Sequence, residues 1–409
     1  MSGATEQTQS ETRAKAHNRW TVIGLCMLFN LINGQNALAM AFVASTVSAQ
    51  WLLSGLQQGA LLSASLIGMA GGSMFAAPLA DRHGRRPLLV ASLLLSASTM
   101  ALSFWCDGPW SLGLLRGLTG LGVGAVLVGA NVLTHEYASE RRRSLAIALQ
   151  SLAFALGAIL GGLLAHVFSE NAGWRYVFLA GGALTLAAGL AGAVWLRESS
   201  QFLSLKASPA HARRPRRGGH RAPLSSRQWR ETLSLAAAFF LVMFCFYFVV
   251  SWTPTLLIQA GASEQHGIEG GMLLNLGGML GALLMGLAAN RYGTRPLLVG
   301  CLVLNAGLMS LMVPATHLLG VAISLGFSIG LLLNGAIAGL YTLAPQSFST
   351  GERASGVGLV VGVGRLGSIL SPLIAGLLLD AQWSLQALFS FYAGSLLLAA
   401  LVVGRHPPR

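Results

Sequence analysis

The stretch Ala80-Asp81-Arg82-His83-Gly84-Arg85-Arg86-Pro87-Leu88-Leu89-Val90 returns as Ala289-Asn290-Arg291-Tyr292-Gly293-Thr294-Arg295-Pro296-Leu297-Leu298-Val299, 209 residues further on. A second pair, Leu156-Gly157-Ala158-Ile159-Leu160 and Leu366-Gly367-Ser368-Ile369-Leu370, repeats at an offset of 210. The chain is therefore read as two related halves. Each copy of the longer motif is a short charged loop between apolar runs, so the repeat unit is built of apolar runs joined by such loops.

Composition agrees. Of the 409 residues 54% are hydrophobic and only 10% charged, against about 25% charged in a soluble domain. Too few charges remain to build a water-facing surface, so most of the exterior must face lipid. The 51 glycines suit this, because small residues let helix backbones pack closely where lipid gives little drive for association. Spans of about 20 apolar residues are expected at 20–44, 56–79, 87–104, 110–133, 145–168 and 174–196, then at 232–257, 272–289, 296–313, 318–343, 356–379 and 383–403. The expected fold is an all-α membrane protein of twelve transmembrane helices in two pseudo-symmetric six-helix bundles. The bundles would occupy 20–196 and 231–404, joined by a Pro- and Arg-rich linker at 197–230, with polar tails at 1–19 and 405–409. The first apolar run is too long for a cleaved signal peptide.

All but three of the 26 Lys and Arg residues fall in the tails, the linker and the loops on one side of this arrangement. The exceptions are Arg116, Arg175 and Arg365. Such asymmetry places both termini in the cytoplasm and explains the net charge of +13 by topology and anionic headgroups rather than nucleic acid. Cys26, Cys106, Cys245 and Cys301 are far apart and show no metal-ligand or disulfide spacing. No metal or cofactor is expected.

Leu79-Ala80-Asp81-Arg82-His83-Gly84-Arg85-Arg86, lying between spans 2 and 3, resembles the signature loop of the major facilitator superfamily. Arg116-Gly117-Leu118-Thr119-Gly120-Leu121-Gly122-Val123-Gly124 resembles its Arg-then-glycine helix. Gly173-Trp174-Arg175, Glu198-Ser199 with Phe202-Leu203, Trp252-Thr253-Pro254, and Gly362-Val363-Gly364-Arg365-Leu366-Gly367-Ser368-Ile369 extend the likeness over nearly the whole chain. Together they are most similar to the aromatic acid:proton symporters. The resemblance implies alternating access by two rocking bundles and a small organic anion, an aromatic carboxylate, as substrate, with protons as the coupling ion. It also implies a multi-pass protein of the inner membrane, a monomer, whose signature loop (Asp81, Arg82, Gly84, Arg85, Arg86, with Arg291 and Arg295 in the second copy) gates one access state. One departure stands out. That family carries Asp-Gly-x-Asp in the first span, and this chain has Asn33-Gly34-Gln35-Asn36. An amide does not titrate, so these positions cannot carry a proton.

The charges tell a similar story without the family. None of the 13 acids lies near the middle of an expected span. Arg365 does, about nine residues or ~14 Å into the eleventh. A central Arg costs about 2.5–3.5 kcal/mol on insertion scales and needs water, acceptors or a counter-ion. A transported carboxylate fits its planar fork; capping of backbone carbonyls is the other role open to it. Arg116 is a ligand or a structural or coupling residue. Asn33 and Asn36, which share a helix face, are substrate ligands or interhelical glue. Tyr247 and Trp252 on the seventh span and Tyr341 on the tenth complete the candidate substrate-binding set. An intramembrane enzyme would need a nucleophile with its base, a metal cluster or paired acids at depth, none of which the pattern supplies. A transporter-like sensor would need an output domain. A broad metabolite or drug efflux carrier of the same superfamily is the alternative.

Overall fold

Hydrocarbon cannot hydrogen-bond a peptide group, so a spanning segment must satisfy its backbone internally. The computed structural model, which describes residues 2–139, 142–171, 173–199, 226–315, 318–348 and 353–405, does this with long helices. They are α1 (Ser2–Trp51), α2 (Gly55–His83), α3 (Arg85–Leu102), α4 (Pro109–Tyr137), α5 (Arg143–Asn171) and α6 (Arg175–Trp195), then α7 (Ser226–Gln259), α8 (Glu264–Tyr292), α9 (Thr294–Ser310), α10 (Leu319–Gln346), α11 (Arg353–Asp380) and α12 (Leu385–Arg405). Eleven are long and apolar enough to cross a membrane. The other, α9, is an apolar helix of 17 residues followed by a single turn at Met312–Ala315. The expected span at 296–313 is thus interrupted. Pro314 lacks the N–H that would bond the Ser310 carbonyl. At the start of the chain the polar tail continues the helix of the first span, since α1 begins at Ser2. Most of the expected linker, with Phe202-Leu203, lies outside the described residues.

The repeated loop is built identically in both halves. Gly84 and Gly293 each break a helix with a positive φ, 104° and 81°, a conformation that favours glycine. Each donates its N–H to a carbonyl four residues back, Ala80 or Ala289, at 3.0 Å. Arg86 and its counterpart Arg295 then tie down the last helix of their own half. Arg86 Nη2 donates to Ala193 O at 2.6 Å. Arg295 Nε donates to Val403 O at 3.0 Å and its Nη2 to Gly404 O. Cations on helix C-terminal carbonyls also favour the helix dipole.

Packing repeats as closely as the loop does. A Cβ added to Gly68 or Gly72 of α2 would lie 1.9 Å from the carbonyl oxygen of Gly117 or Leu121 on α4. The counterparts Gly277 and Gly281 of α8 stand 2.1 and 1.8 Å from Phe327 O and Leu331 O on α10. Backbone touches backbone at both places, which only glycine allows.

The two bundles meet at the face carrying the α1–α2, α7–α8 and α11–α12 loops, called here the distal face. Gly55, Gly59 and Ser63 of α2 lie on Gly376, Pro372 and Ile369 of α11, and Gly162 of α5 on Met272 of α8. The seam runs to about the mid-depth of the bundle, where Leu66 and Met69 share a cluster with Tyr247 and Ile369. Toward the opposite, terminal face, where α1 begins and α12 ends, none of these contacts between α2 and α11 continues among the described residues. The molecule is closed on the distal face and open on the terminal face.

Valine at Gly72 or Gly281 should drive backbones apart at a cost of about 1–3 kcal/mol or more. Both variants are expected to unfold at lower temperature in detergent and to lose the monodisperse peak in size-exclusion chromatography, whereas Gly300→Ala, with open space around it, should match the parent.

Candidate substrate site and gates

Arg365 sits 12 residues into the 28-residue α11, so its depth follows from helical rise alone. Its side chain is half-buried, and it enters no ion pair or side-chain hydrogen bond with the described residues. Ser368 Oγ donates to the Arg365 backbone carbonyl at 2.6 Å, which leaves the guanidinium to whatever enters the cleft. Two phenols share its surroundings. Tyr247 of α7 and Tyr341 of α10 carry hydroxyls within electrostatic range of Arg365. Tyr341 is 46% exposed and rests edge-on against Phe239 with centroids 5.3 Å apart. Phe246 meets Tyr247 in the same way at 5.1 Å. A cation and two hydroxyl groups on three helices of the second bundle can bind a carboxylate and a ring together.

The other four candidates are engaged elsewhere. Trp252 is fully buried, and its Nε1 donates to Pro372 O at 3.3 Å. Asn33 donates to Val123 O of α4 at 3.3 Å, and Asn36 exchanges bonds with Thr185 of α6 at 3.0 and 3.2 Å. Arg116 is fully enclosed among α3, α4 and α6. The amides of α1 therefore act as interhelical bonds of the first bundle in this state. Asn30 belongs with them, donating to Gln150 of α5, which passes a bond of 2.8 Å to Thr134 of α4. Most of the α7 aromatics are likewise committed to packing: Phe244 and Phe248 stack on Tyr392 of α12 with centroids 4.7 and 3.9 Å away.

The signature loop keeps its charges within the first bundle. Arg85 pairs with exposed Asp81 at 3.2 Å and with buried Glu136 at 3.4 Å. Glu198, beyond α6, accepts from the backbone N–H of Arg85 at 2.9 Å and of Arg86 at 3.3 Å, a carboxylate set on the positive end of α3. Tyr137 donates to the Glu198 carbonyl at 3.0 Å. In the second copy Thr294 replaces Arg85, and Arg291 lies over its neighbour Tyr292 at 5.4 Å. Arg82 is exposed. A loop whose charges stay in one half holds no gate shut, and its own face is the open one.

The bonds that join the two bundles are distal. Asp380, the last residue of α11, accepts from the N–H groups of Gly55 and Leu56 at 2.6 and 2.9 Å. Those two groups open α2, where the positive helix end and unbonded donors meet. Ser54 and Gln57 cap the same turn with a capping box, so the sequence Ser-x-x-Gln holds the donors in place. Thr46 of α1 bonds Glu264 of α8, and Gln58 of α2 bonds Thr255 of α7 at 3.2 Å. A surface cavity of about 420 Å³ lies over this seal, lined in part by Gln58, Gln259, Asp380 and Trp383. Sequence reading placed Asp380 at a helix end and gave it no role; its partners are more than 300 residues away in the chain, and only a capping box marked them.

The profile described as Major Facilitator Superfamily matches residues 23–287 and 272–409. The chain belongs to the major facilitator superfamily. Within the superfamily it groups with aromatic acid transporters. It is 32% identical to the gallate transporter of Pseudomonas putida over 96% of this chain and 93% of that one. It is 30% identical to the 4-hydroxybenzoate transporter PcaK of the same organism, over 90% and 88%, and 31% identical to the 3-(3-hydroxy-phenyl)propionate transporter of Escherichia coli K12, over 93% and 92%. Among solved structures the superfamily fold is matched by a D-xylose-proton symporter with a TM-score of 0.79 at 16% identity, covering 95% of this chain and 98% of that one. A bacterial Spinster homologue in an inward-facing, occupied conformation gives 0.74 at 17%, with 94% of each covered.

Asp380→Ala removes two charge-assisted bonds of about 1.5–3 kcal/mol each, enough to shift a two-state equilibrium tenfold or more. In a background lacking the native cysteines, Cys at Gln58, now buried, should react with a membrane-impermeant thiol reagent added at the distal face at least about tenfold faster in the Asp380→Ala variant. Equal rates would mean that Asp380 is no latch.

Proposed function

We propose that this protein is a secondary transporter that carries a small organic anion, an aromatic carboxylate, across the membrane by alternating access. The observation that carries the reading is Arg365. It is a guanidinium 12 residues into α11 that has no ion pair or side-chain hydrogen bond with the described residues and lies within electrostatic range of the Tyr247 and Tyr341 hydroxyls. An unanswered charge there favours an anion over a neutral sugar or a cationic drug, since removal from water is costly without a partner. The names of the gallate, 4-hydroxybenzoate and hydroxyphenylpropionate transporters support the same class.

The substrate carboxylate pairs with Arg365 through its planar fork, and the ring lies between Tyr247 and Tyr341. Phenol hydroxyls on the substrate bond those of the tyrosines. Neutralising Arg365 removes the charge that keeps the cleft wet, which allows the bundles to close over it. Closure at the terminal face brings the signature loop, with Asp81, toward the start of α11, while the Asp380 seal on α2 parts at the distal face. The abundance of basic residues on the terminal face supports a cytoplasmic location for it, in a cytoplasmic (inner) membrane. The state described is then inward-open, the state in which cargo is released to the cytoplasm. Asn33 and Asn36 carry no proton, so coupling, where present, uses other groups, and uniport or anion exchange is compatible with the same site.

Counterflow of labelled 4-hydroxybenzoate in proteoliposomes needs no coupling ion and tests the site directly. Arg365→Ala should weaken half-saturation at least about tenfold, from loss of a charge-assisted contact of roughly 1.5–3 kcal/mol. Arg365→Lys should recover only part, because an ammonium lacks the fork, and Tyr247→Phe should cost less than Arg365→Ala. Full affinity in Arg365→Lys would discard the bidentate contact. Absence of exchange in folded parent protein would discard the aromatic-acid reading.

A further inference from the structure

Arg116 is fully enclosed, and among the described residues only neutral groups answer it. Its Nη2 reaches the Met100 sulfur at 2.9 Å, Ser103 Oγ at 3.3 Å and Thr119 Oγ1 at 2.9 Å, and the guanidinium carbon stands 4.6 Å from the centre of the Phe178 ring. Nε and Nη1 have no partner. Other guanidiniums among the described residues do find carboxylates, Arg85 on Asp81 and Glu136 and Arg175 on Asp107.

Gln35 lies on the other side of Met100. It too is fully enclosed, and neither amide atom has a partner. Its Nε2 and the Met100 methyl come within 2.4 and 2.7 Å of the point where a Cβ on Gly181 would stand, so Met100 is the shared wall of the two orphaned side chains. This stretch of α1 offers Asn30, Asn33, Gln35 and Asn36 and no acid. A buried guanidinium without a counter-charge is costly, and a buried amide without a bond adds to the cost. Free donors of a cation and a carboxamide on the two sides of one methionine, with a ring face beside the cation, suit a compact, weakly hydrated monoanion.

We propose that Arg116 and the Gln35 amide form a small-anion site inside the first bundle, which takes a halide-class ion as the counter-charge that the chain does not supply. The site is separate from the Arg365 cleft, because its walls come from α1, α3, α4 and α6. It is independent of the transport reading and is tested without substrate.

The test is thermal unfolding of the purified full chain in detergent, dialysed to equilibrium in sodium chloride or in sodium gluconate at equal ionic strength, together with retention of labelled chloride. The expected result is a rise of about 3–5 °C in chloride and one labelled chloride held per chain. Gln35→Glu, nearly isosteric, supplies a buried carboxylate across Met100 as the counter-charge. It should abolish both the rise and the retained label while unfolding in gluconate at the temperature the parent shows in chloride. Arg116→Gln should also retain no label. Equal unfolding temperatures for the parent in both salts with no retained label would overturn the site. So would a chloride effect of undiminished size in Gln35→Glu, which would reveal a general salt effect.

Discussion

Lipid gives a helix no hydrogen-bond partner and little reason to leave hydrocarbon for another helix, so the fold depends on how closely backbones can approach. Close approach multiplies weak dispersion contacts, and glycine is the residue that permits it. The α2–α4 and α8–α10 pairs meet through glycines at matched places in the two halves. The same device recurs between the halves, where Gly55 and Gly59 of α2 lie on α11. Within a bundle the glycine contacts pair with buried amide bonds, such as Asn36 with Thr185 and Asn30 with Gln150. Across the seam they stand beside a few bonds at helix ends. A bundle therefore holds as a body, while the seam can open.

Duplicated packing makes the differences between the halves informative. Arg86 and Arg295 perform the same task on α6 and α12, so they belong to the scaffold. Arg85, Glu136 and Glu198 form their network in the first half alone, and Arg365, without an ion pair among the described residues, belongs to the second. One half holds charge closed on itself near a face; the other leaves a charge exposed in the cleft. The candidate ligand charge and the self-contained loop network thus fall on opposite sides of a symmetric frame.

Helix ends carry the distal seal for a physical reason. The first turn of α2 has free N–H groups and the positive end of a dipole. A single carboxylate at the end of α11 can hold it firmly. Such a contact is short-ranged and has no packed side chains to unlock, so it can break as a unit when the bundles rock.

The sequence by itself determined the span pattern, the duplication, the sidedness of the basic loops and the depth of Arg365, because each of these depends on local composition or on rise per residue. Gly84 and Gly293 were legible for the same reason, as turns recorded in the motif. The sequence did not determine which polar side chains face the cleft. Asn33, Asn36 and Trp252 share the depth and chemistry of a binding site, yet they are spent on Val123, Thr185 and Pro372. Helical periodicity places residues on a common face, but the rotation of that face is set by neighbours many residues away. Only the tertiary structure brought Tyr247 and Tyr341 within electrostatic range of Arg365 and Asp380 to the start of α2. These juxtapositions join helices far apart in the chain, and they are decided by which backbones can touch.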